Sequence, residues 1–166
     1  MIRGFLFVAA MAATSSAAFA QPAAIKRSGP AQSPISATVS VPADARLVYV
    51  SGTVPDAVKP DAPEGSVERF GDTEAQTRSI IAKIEKLLAT EGLGLGDVVM
   101  MRVFLVAPPG QPRMDFAGMM TAYREFFGTS GQPNRPARST MQVAGLVDPG
   151  WLVEIEVTAA ARPAQQ

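Results

Sequence analysis

The chain lacks two residue types that carry much of enzyme chemistry. Its 166 residues include no cysteine and no histidine. Without cysteine there is no disulfide, thiolate nucleophile or thiolate metal ligand, and without histidine the usual general base near neutral pH is absent. An enzyme of this composition has to work with carboxylates, arginines, hydroxyl groups and backbone amides.

No excess of charge of either sign is present. Fifteen basic residues balance fifteen acidic ones, and no basic stripe interleaves with aromatic residues. Nucleic-acid binding depends on such a stripe, so nucleic acid is not expected as a partner.

Long apolar runs are also missing, apart from a short one near the start. A basic Met1-Ile2-Arg3 precedes the apolar stretch 4–11, and Ala18-Phe19-Ala20 has the small-x-small pattern of a signal-peptidase site. This pattern predicts a signal peptide at 1–20 and an exported, periplasmic or secreted, protein. The run is too short for a permanent transmembrane helix, so no membrane association is expected after cleavage.

The remaining sequence divides into a leader, one domain and a tail. Residues 21–32 are rich in Pro, Ala, Gly and Ser, which predicts a flexible leader. The domain is expected at 33–162, and 163–166 is expected to be a disordered tail.

Apolar periodicity within the domain predicts the order β-β-α-β-α-β-β. Strands at 35–41 and 47–50 are predicted to form a hairpin, the second ending at Ser51-Gly52. A helix is predicted from Thr73, with a Thr73–Gln76 capping box, to Gly92. The later elements are a strand at 98–106, a helix at 115–127, and strands at 137–144 and 151–161.

Two amphipathic helices cover only one face of such a sheet. Apolar strand residues are abundant, which predicts that the second face is used for self-association in a closed oligomer. The residues assigned to this apolar strand surface are Val39, Val48, Val103, Val143 and Ile155.

Three charged residues interrupt the two C-terminal strands. Arg138 lies in one strand, and Glu154 and Glu156 lie in the other. A charge within an apolar strand is costly unless it meets a partner or a ligand. Glu154 and Glu156 are expected on one face and Ile155 on the other, because side chains alternate along a strand.

A series of short motifs runs through the domain. The segments are Ser33-Pro34-Ile35-Ser36, Val48-Tyr49-Val50-Ser51-Gly52, Gln76-Thr77, Asp97-Val98-Val99, Val103-Phe104-Leu105, Asp115-Phe116-Ala117, Tyr123-Arg124-Glu125-Phe126-Phe127, Pro136-Ala137-Arg138-Ser139-Thr140 and Val153-Glu154-Ile155-Glu156. No single motif is specific, but the whole set in this order resembles the RidA (YjgF) family of enamine/imine deaminases over about 33–161.

The resemblance implies a chorismate-mutase-like α+β fold, with two helices on one face of a mixed sheet. It also implies a homotrimer whose three sheets form a central barrel, with sites in clefts between subunits. The implied reaction is hydrolysis of reactive 2-enamines and 2-imines, such as 2-aminoacrylate, to 2-keto acids and ammonia. No metal or organic cofactor is expected.

The resemblance also assigns roles to individual residues. Arg138 matches the arginine expected to bind the substrate carboxylate through a two-pronged hydrogen bond. Glu154 matches the carboxylate expected to deprotonate the attacking water and return a proton to the amine. Ser51, Gly52 and Thr140 match pocket positions that contact the substrate.

Other interpretations remain open. Arg138 is also consistent with a structural ion pair to Glu154 or Glu156 across a subunit interface, and Glu156 is more typical of a structural charge. Ile35 and Met120 replace the Tyr and Asn that relatives often carry. A non-catalytic trimer that binds a small carboxylate metabolite is the alternative function, and a chaperone-like or partner-binding trimer is a further one.

Overall fold

The computed structural model describes residues 24–161. The predicted signal peptide and the predicted tail lie outside the described residues. Within 24–161, no helix is both long enough and apolar enough to cross a bilayer.

A four-stranded mixed sheet forms the centre of the molecule, and a two-stranded sheet lies apart from it. The central sheet has the order β3-β6-β4-β5, in which β5 is parallel to β4 and the other pairs are antiparallel. The small sheet pairs β1 with β2. The strands are β1 (Lys26–Ser28), β2 (Thr38–Ser40), β3 (Arg46–Thr53), β4 (Val98–Leu105), β5 (Ala137–Gln142) and β6 (Val153–Ala161).

Two long helices cover one face of the central sheet, which confirms the predicted α+β architecture. They are α2 (Thr73–Thr90) and α3 (Phe116–Phe126), preceded by the short helix α1 (Val67–Phe70). Three isoleucines of α2 and Tyr123 of α3 pack on alternate residues of β4 and β6, which are almost completely buried. The sheet residues in this core include Met101, Val103, Leu105, Val153, Ile155 and Val157.

The second face of the sheet has no covering element within residues 24–161, but its composition differs from the prediction. Val103 and Ile155, assigned to apolar surface for self-association, lie in the helix-facing core at 0 % and 1 % exposure. The open face instead presents Leu47, Tyr49 and Met141, interspersed with charged residues. Side-chain alternation places the neighbours of each core residue on this face.

Two predictions about the N-terminal part differ from the structure. The segment predicted to be a flexible leader contains β1, so the first strand of the described residues begins at Lys26 and not after residue 33. The predicted hairpin is wrong, because β2 pairs with β1 and β3 pairs with β6. Along β3, Arg46 to Val50 pair with Ala161 to Val157 of β6, and this long-range ladder determines where the strand lies.

The N-cap of helix α2 lies one residue before the residue predicted to cap it. The carboxylate of Asp72 accepts a hydrogen bond from Ala75 N at 2.8 Å, so the N-cap is Asp72 and not Thr73. Gln76 does not complete a capping box. Its buried amide donates to Gly71 O and Gly150 O at 2.9 Å, and accepts from Leu152 N at 2.7 Å.

Replacing Gln76 by leucine is expected to destabilise the fold by about 2–4 kcal/mol, because two buried backbone groups and one partly buried one lose their partner. Urea unfolding measures this loss. Gln111→Leu is the matched control, since Gln111 is exposed and is expected to change stability by less than about 0.5 kcal/mol. Equal stability of the two variants would contradict the structural role of Gln76.

Candidate functional site

Arg138 lies on the helix-facing side of the sheet. Its register partner on the parallel strand is Met101, a core residue. Its guanidinium carbon is 4.3 Å from the centroid of the Tyr123 ring and 6.0 Å from that of Phe116. Both rings belong to the face of α3 that meets β5, so the guanidinium is held in the groove between this helix and the sheet edge.

The two terminal nitrogens of Arg138 point at sulfur atoms. Nη2 is 3.1 Å from Sδ of Met120, and Nη1 is 4.0 Å from Sδ of Met119. A thioether is a weak acceptor, and no carboxylate within 24–161 pairs with this guanidinium. Burial lowers the pKa of Arg138 from its usual value. A half-buried cation with weak acceptors is well suited to an anionic ligand.

Tyr123 is the aromatic residue over which the Arg138 guanidinium lies. Its side chain is buried, and its ring stacks on Phe127 with centroids 4.9 Å apart and 14° between the planes. The hydroxyl donates to Pro34 O at 3.0 Å. Burial raises the pKa of Tyr123 to about 12, so the phenol is neutral at physiological pH and presents an uncharged ring face to the arginine.

Hydrogen bonds hold the segment 33–36 beside the start of β5. Ser36 N donates to Pro136 O at 3.0 Å, and Ser36 Oγ donates to Arg135 O at 2.6 Å. These bonds hold Ile35, which packs against the core, close to the start of β5. The backbone of the arginine is therefore constrained from both its helix side and its N-terminal side.

Glu154 lies on the opposite, open face. It pairs in register with Phe104, and its neighbour Ile155 is in the helix-facing core. The register between β3 and β6 shifts between Val50 and Thr53, which brings Gly52 against the glutamate. A Cβ at Gly52 would lie 1.9 Å from Oε1 of Glu154, so any larger residue would displace this carboxylate from its present position. Within 24–161, Glu154 forms no ion pair.

Glu156 shares the open face with Glu154, as the alternation predicted. Its Oε1 is 2.8 Å from Nη1 of Arg102 on the neighbouring strand. The charge is therefore paired within the chain, as the structural interpretation of Glu156 expects. Ser51 is exposed. Together with Arg102 and Glu156, it lines a cavity of about 170 Å³ on this face.

The structure does not bring the predicted site residues together in one chain. Arg138 and Thr140 lie on the helix side, whereas Ser51, Gly52 and Glu154 lie at the open face. The Oγ1 atom of Thr140 is buried and has no hydrogen-bond partner among the described residues. A direct pair between Arg138 and Glu154 of the same chain is ruled out, because the sheet separates them.

No contact with Arg138 was predicted for three residues of α3. Tyr123, Met119 and Met120 are buried in the core, and they also contact the guanidinium. The helical spacing 116, 119/120 and 123 marked one face of the helix. It did not reveal that β5 is the strand beneath that face, because pairing partners are not encoded locally.

The architecture defines an α+β protein in which two helices cover one face of a four-stranded mixed sheet, with unpaired charges of opposite sign on its two faces. A family model described as Endoribonuclease L-PSP matches residues 26–161. The chain belongs to this family, which is the RidA (YjgF) family.

Three relatives illustrate the match. The 3-aminoacrylate deaminase RutC of Acinetobacter baylyi is 36 % identical over 109 residues, covering 66 % of this chain and 75 % of the relative. The structure of Escherichia coli TdcF with bound serine is 26 % identical, with a TM-score of 0.55 over 82 % of this chain and 98 % of that one. A Rid-family protein of unknown function, YyfB from Yersinia pestis, shares the fold with a TM-score of 0.61 at 23 % identity, over 82 % and 98 % of the two chains.

Proposed function

We propose that the protein hydrolyses reactive 2-enamine and 2-imine acids, such as 2-aminoacrylate, to 2-keto acids and ammonia. The observation that carries this proposal is that Arg138 and Glu154 occupy the family's motif positions, and that neither forms an ion pair within residues 24–161. A relative at 36 % identity is a deaminase of 3-aminoacrylate, an amino acid with a conjugated double bond.

The proposed active form is a homotrimer with one site in each cleft between neighbours. β5 and β3 are the two edges of the central sheet, with Arg138 on the first and Ser51-Gly52 on the second. A closed ring of copies places one edge of each sheet beside the other edge of the next. Arg138 of one subunit then meets Gly52 and Glu154 of its neighbour, and the open faces enclose a barrel.

In this cleft Arg138 binds the carboxylate of the substrate. The two N–H groups that face methionine sulfurs form parallel charge-assisted hydrogen bonds to the two carboxylate oxygens. The Tyr123 ring fixes the plane of the guanidinium, and hence the orientation of the bound carboxylate. Thr140, two residues further along the same strand face, offers its unpartnered hydroxyl to the same ligand.

Glu154 is the proposed general base for the attacking water and the proposed general acid for the departing amine. It accepts one proton of the water as the water oxygen bonds to the imine carbon, while the π electrons of C=N move to nitrogen, which takes up a proton from solvent. The carbinolamine then collapses: its O–H proton passes to solvent as an oxygen lone pair forms C=O, the C–N bond breaks, and ammonia leaves with the proton returned by the carboxyl group of Glu154. Ser51 and the backbone of Gly52 line the pocket. The imine carbon is already electrophilic, so the proposed reaction needs no metal or organic cofactor.

The test is a coupled assay in which imines are generated enzymatically from several amino acids, and their decay is followed with and without the protein. We expect keto acid and ammonia to appear faster than in the uncatalysed reaction. Rates equal to background for every imine would refute the deaminase.

A second candidate is a binding module for small carboxylate metabolites. It is favoured by the relative whose structure holds serine, a stable amino acid. This function predicts saturable binding of amino acids or keto acids together with background imine decay. Turnover above background would exclude it as the sole function.

A further inference from the structure

Regular strand pairing does not hold the segment that presents Ser51 and Gly52. β3 pairs with β6 without interruption as far as Val50, and the pairing then shifts and resumes at Thr53. Oγ1 of Thr53 donates to Ser51 O at 3.0 Å, which closes the irregularity locally. The ladder alone therefore does not fix where the backbone of Gly52 lies relative to the carboxylate of Glu154.

A lysine of α2 holds the chain directly after this irregularity. Nζ of Lys83 donates to Val54 O at 2.9 Å and to Oδ1 of Asp56 at 2.8 Å. About one helical turn earlier, Oγ of Ser79 accepts a hydrogen bond from Asp56 N at 3.1 Å. Residues 54–56 are therefore attached to a helix whose isoleucines lie in the core.

The two acceptors of Lys83 do not contribute equally. The side chain of Asp56 is 68 % exposed, so its ion pair is screened by water and contributes little. The hydrogen bond to Val54 O is charge-assisted, and the lysine side chain that donates it is only 31 % exposed. This bond acts on the carbonyl two residues after Gly52, so it is the contact that limits movement of the segment.

We propose that Lys83 is a positioning residue of the proposed active site. By attaching Val54 to α2, it keeps the backbone of Gly52 against the carboxylate of Glu154. Since α2 covers one face of the sheet and Glu154 lies on the other, the ammonium acts through the backbone and not on the substrate. The effect on turnover rests on the proposed function, whereas the hold on the segment does not depend on any reaction.

Lys83→Met removes the ammonium and keeps an unbranched side chain. We expect kcat for 2-imino acids to fall about tenfold, because the released segment shifts by a fraction of the 1 Å that costs on the order of 10² in rate. KM should change by less than about twofold, since the carboxylate anchor Arg138 lies on another strand. A rise in KM at unchanged kcat would overturn the inference.

Two further substitutions make the kinetic result specific. Lys86→Met is the matched control, because Lys86 is an exposed lysine of the same helix, and it should leave kcat unchanged. Lys83→Arg keeps a cationic donor for both acceptors and should retain most of the wild-type rate. Equal kcat in Lys83→Met and Lys86→Met, or equal loss in Lys83→Met and Lys83→Arg, would overturn the inference.

Asp56→Ala covers the case in which Lys83→Met does not fold, as judged by thermal melting. The side chain of Asp56 is mostly exposed, so its removal leaves the core unchanged. It takes away one of the two acceptors of the ammonium, and kcat should fall about threefold, the effect of one exposed ion pair. If Lys83→Met does not fold and Asp56→Ala is fully active, the inference is overturned.

Amide hydrogen exchange separates this inference from the proposed reaction. The amides of Thr53 and Asp56 should exchange severalfold faster in Lys83→Met than in the wild type, while those in the middle of α2 stay protected and Lys86→Met shows no change. Unchanged exchange at both amides would overturn the inference whatever the kinetics. Faster exchange in Lys83→Met together with background imine decay in the wild type would refute the deaminase alone.

Discussion

Arg138→Ala is expected to lower kcat/KM for 2-imino acids by about 10²–10³-fold, because removing one member of a desolvated charge pair costs several kcal/mol of binding. The free energy of unfolding should change little or even rise, so that the variant is at least as stable as the wild type. The reason is that a half-buried cation with only sulfur acceptors contributes little to the fold. Steady-state kinetics and urea unfolding measure the two effects separately.

Two controls make this result specific. Arg138→Lys keeps the charge but removes the planar fork, so most of the loss should persist. Arg46→Ala also removes an arginine, one whose guanidinium pairs with Glu91 at the surface, and should leave kcat/KM unchanged. Activity near wild type in Arg138→Ala would refute the assigned role.

Subunit mixing extends this prediction to the position of the site. Arg138→Ala and Glu154→Gln are each expected to be inactive alone. After joint unfolding and refolding at equal amounts, about a quarter of the clefts in a cyclic trimer combine an intact arginine from one subunit with an intact glutamate from its neighbour. Recovery of about a quarter of wild-type activity is expected. No recovery would place both residues of each site in one chain, against the arrangement of the sheet.

The sequence predicted which face of β6 carries its charges, but not which face of β5 carries Arg138. In β6, strict alternation placed Glu154 and Glu156 on one face and Ile155 on the other, and the structure agrees. β5 reads Ala-Arg-Ser-Thr-Met-Gln, with no such alternation, so the face of Arg138 was not encoded locally. It follows from the register of Arg138 opposite Met101.

Local periodicity was likewise sufficient for the helices but not for the pairing of strands. Ile80, Ile81 and Ile84 recur at helical spacing, and all three are buried, whereas Leu87 is 47 % exposed. The hairpin prediction failed because adjacency in sequence was taken for pairing in space. β6 is a central strand that pairs on both sides, and its partners β3 and β4 are remote from it in sequence.

Gly52→Ala is expected to lower kcat by about 10²-fold while leaving the fold intact. The added Cβ would lie 1.9 Å from Oε1 of Glu154, and the cheapest response is rotation of that flexible side chain. A displacement of about 1 Å of a reacting group costs on the order of 10² in rate. Gly145→Ala is the matched control, because a Cβ there meets nothing within 4 Å.

The two alanine variants separate catalysis from stability. Because Gly52 does not have a positive φ, alanine adopts its backbone conformation without strain, so both variants should unfold at nearly the same urea concentration. Affinity for pyruvate should change less than kcat in Gly52→Ala, since the carboxylate anchor Arg138 is untouched. Equal activity of the two variants would show that the carboxylate of Glu154 takes no part in the reaction, because its displacement would then have no chemical consequence.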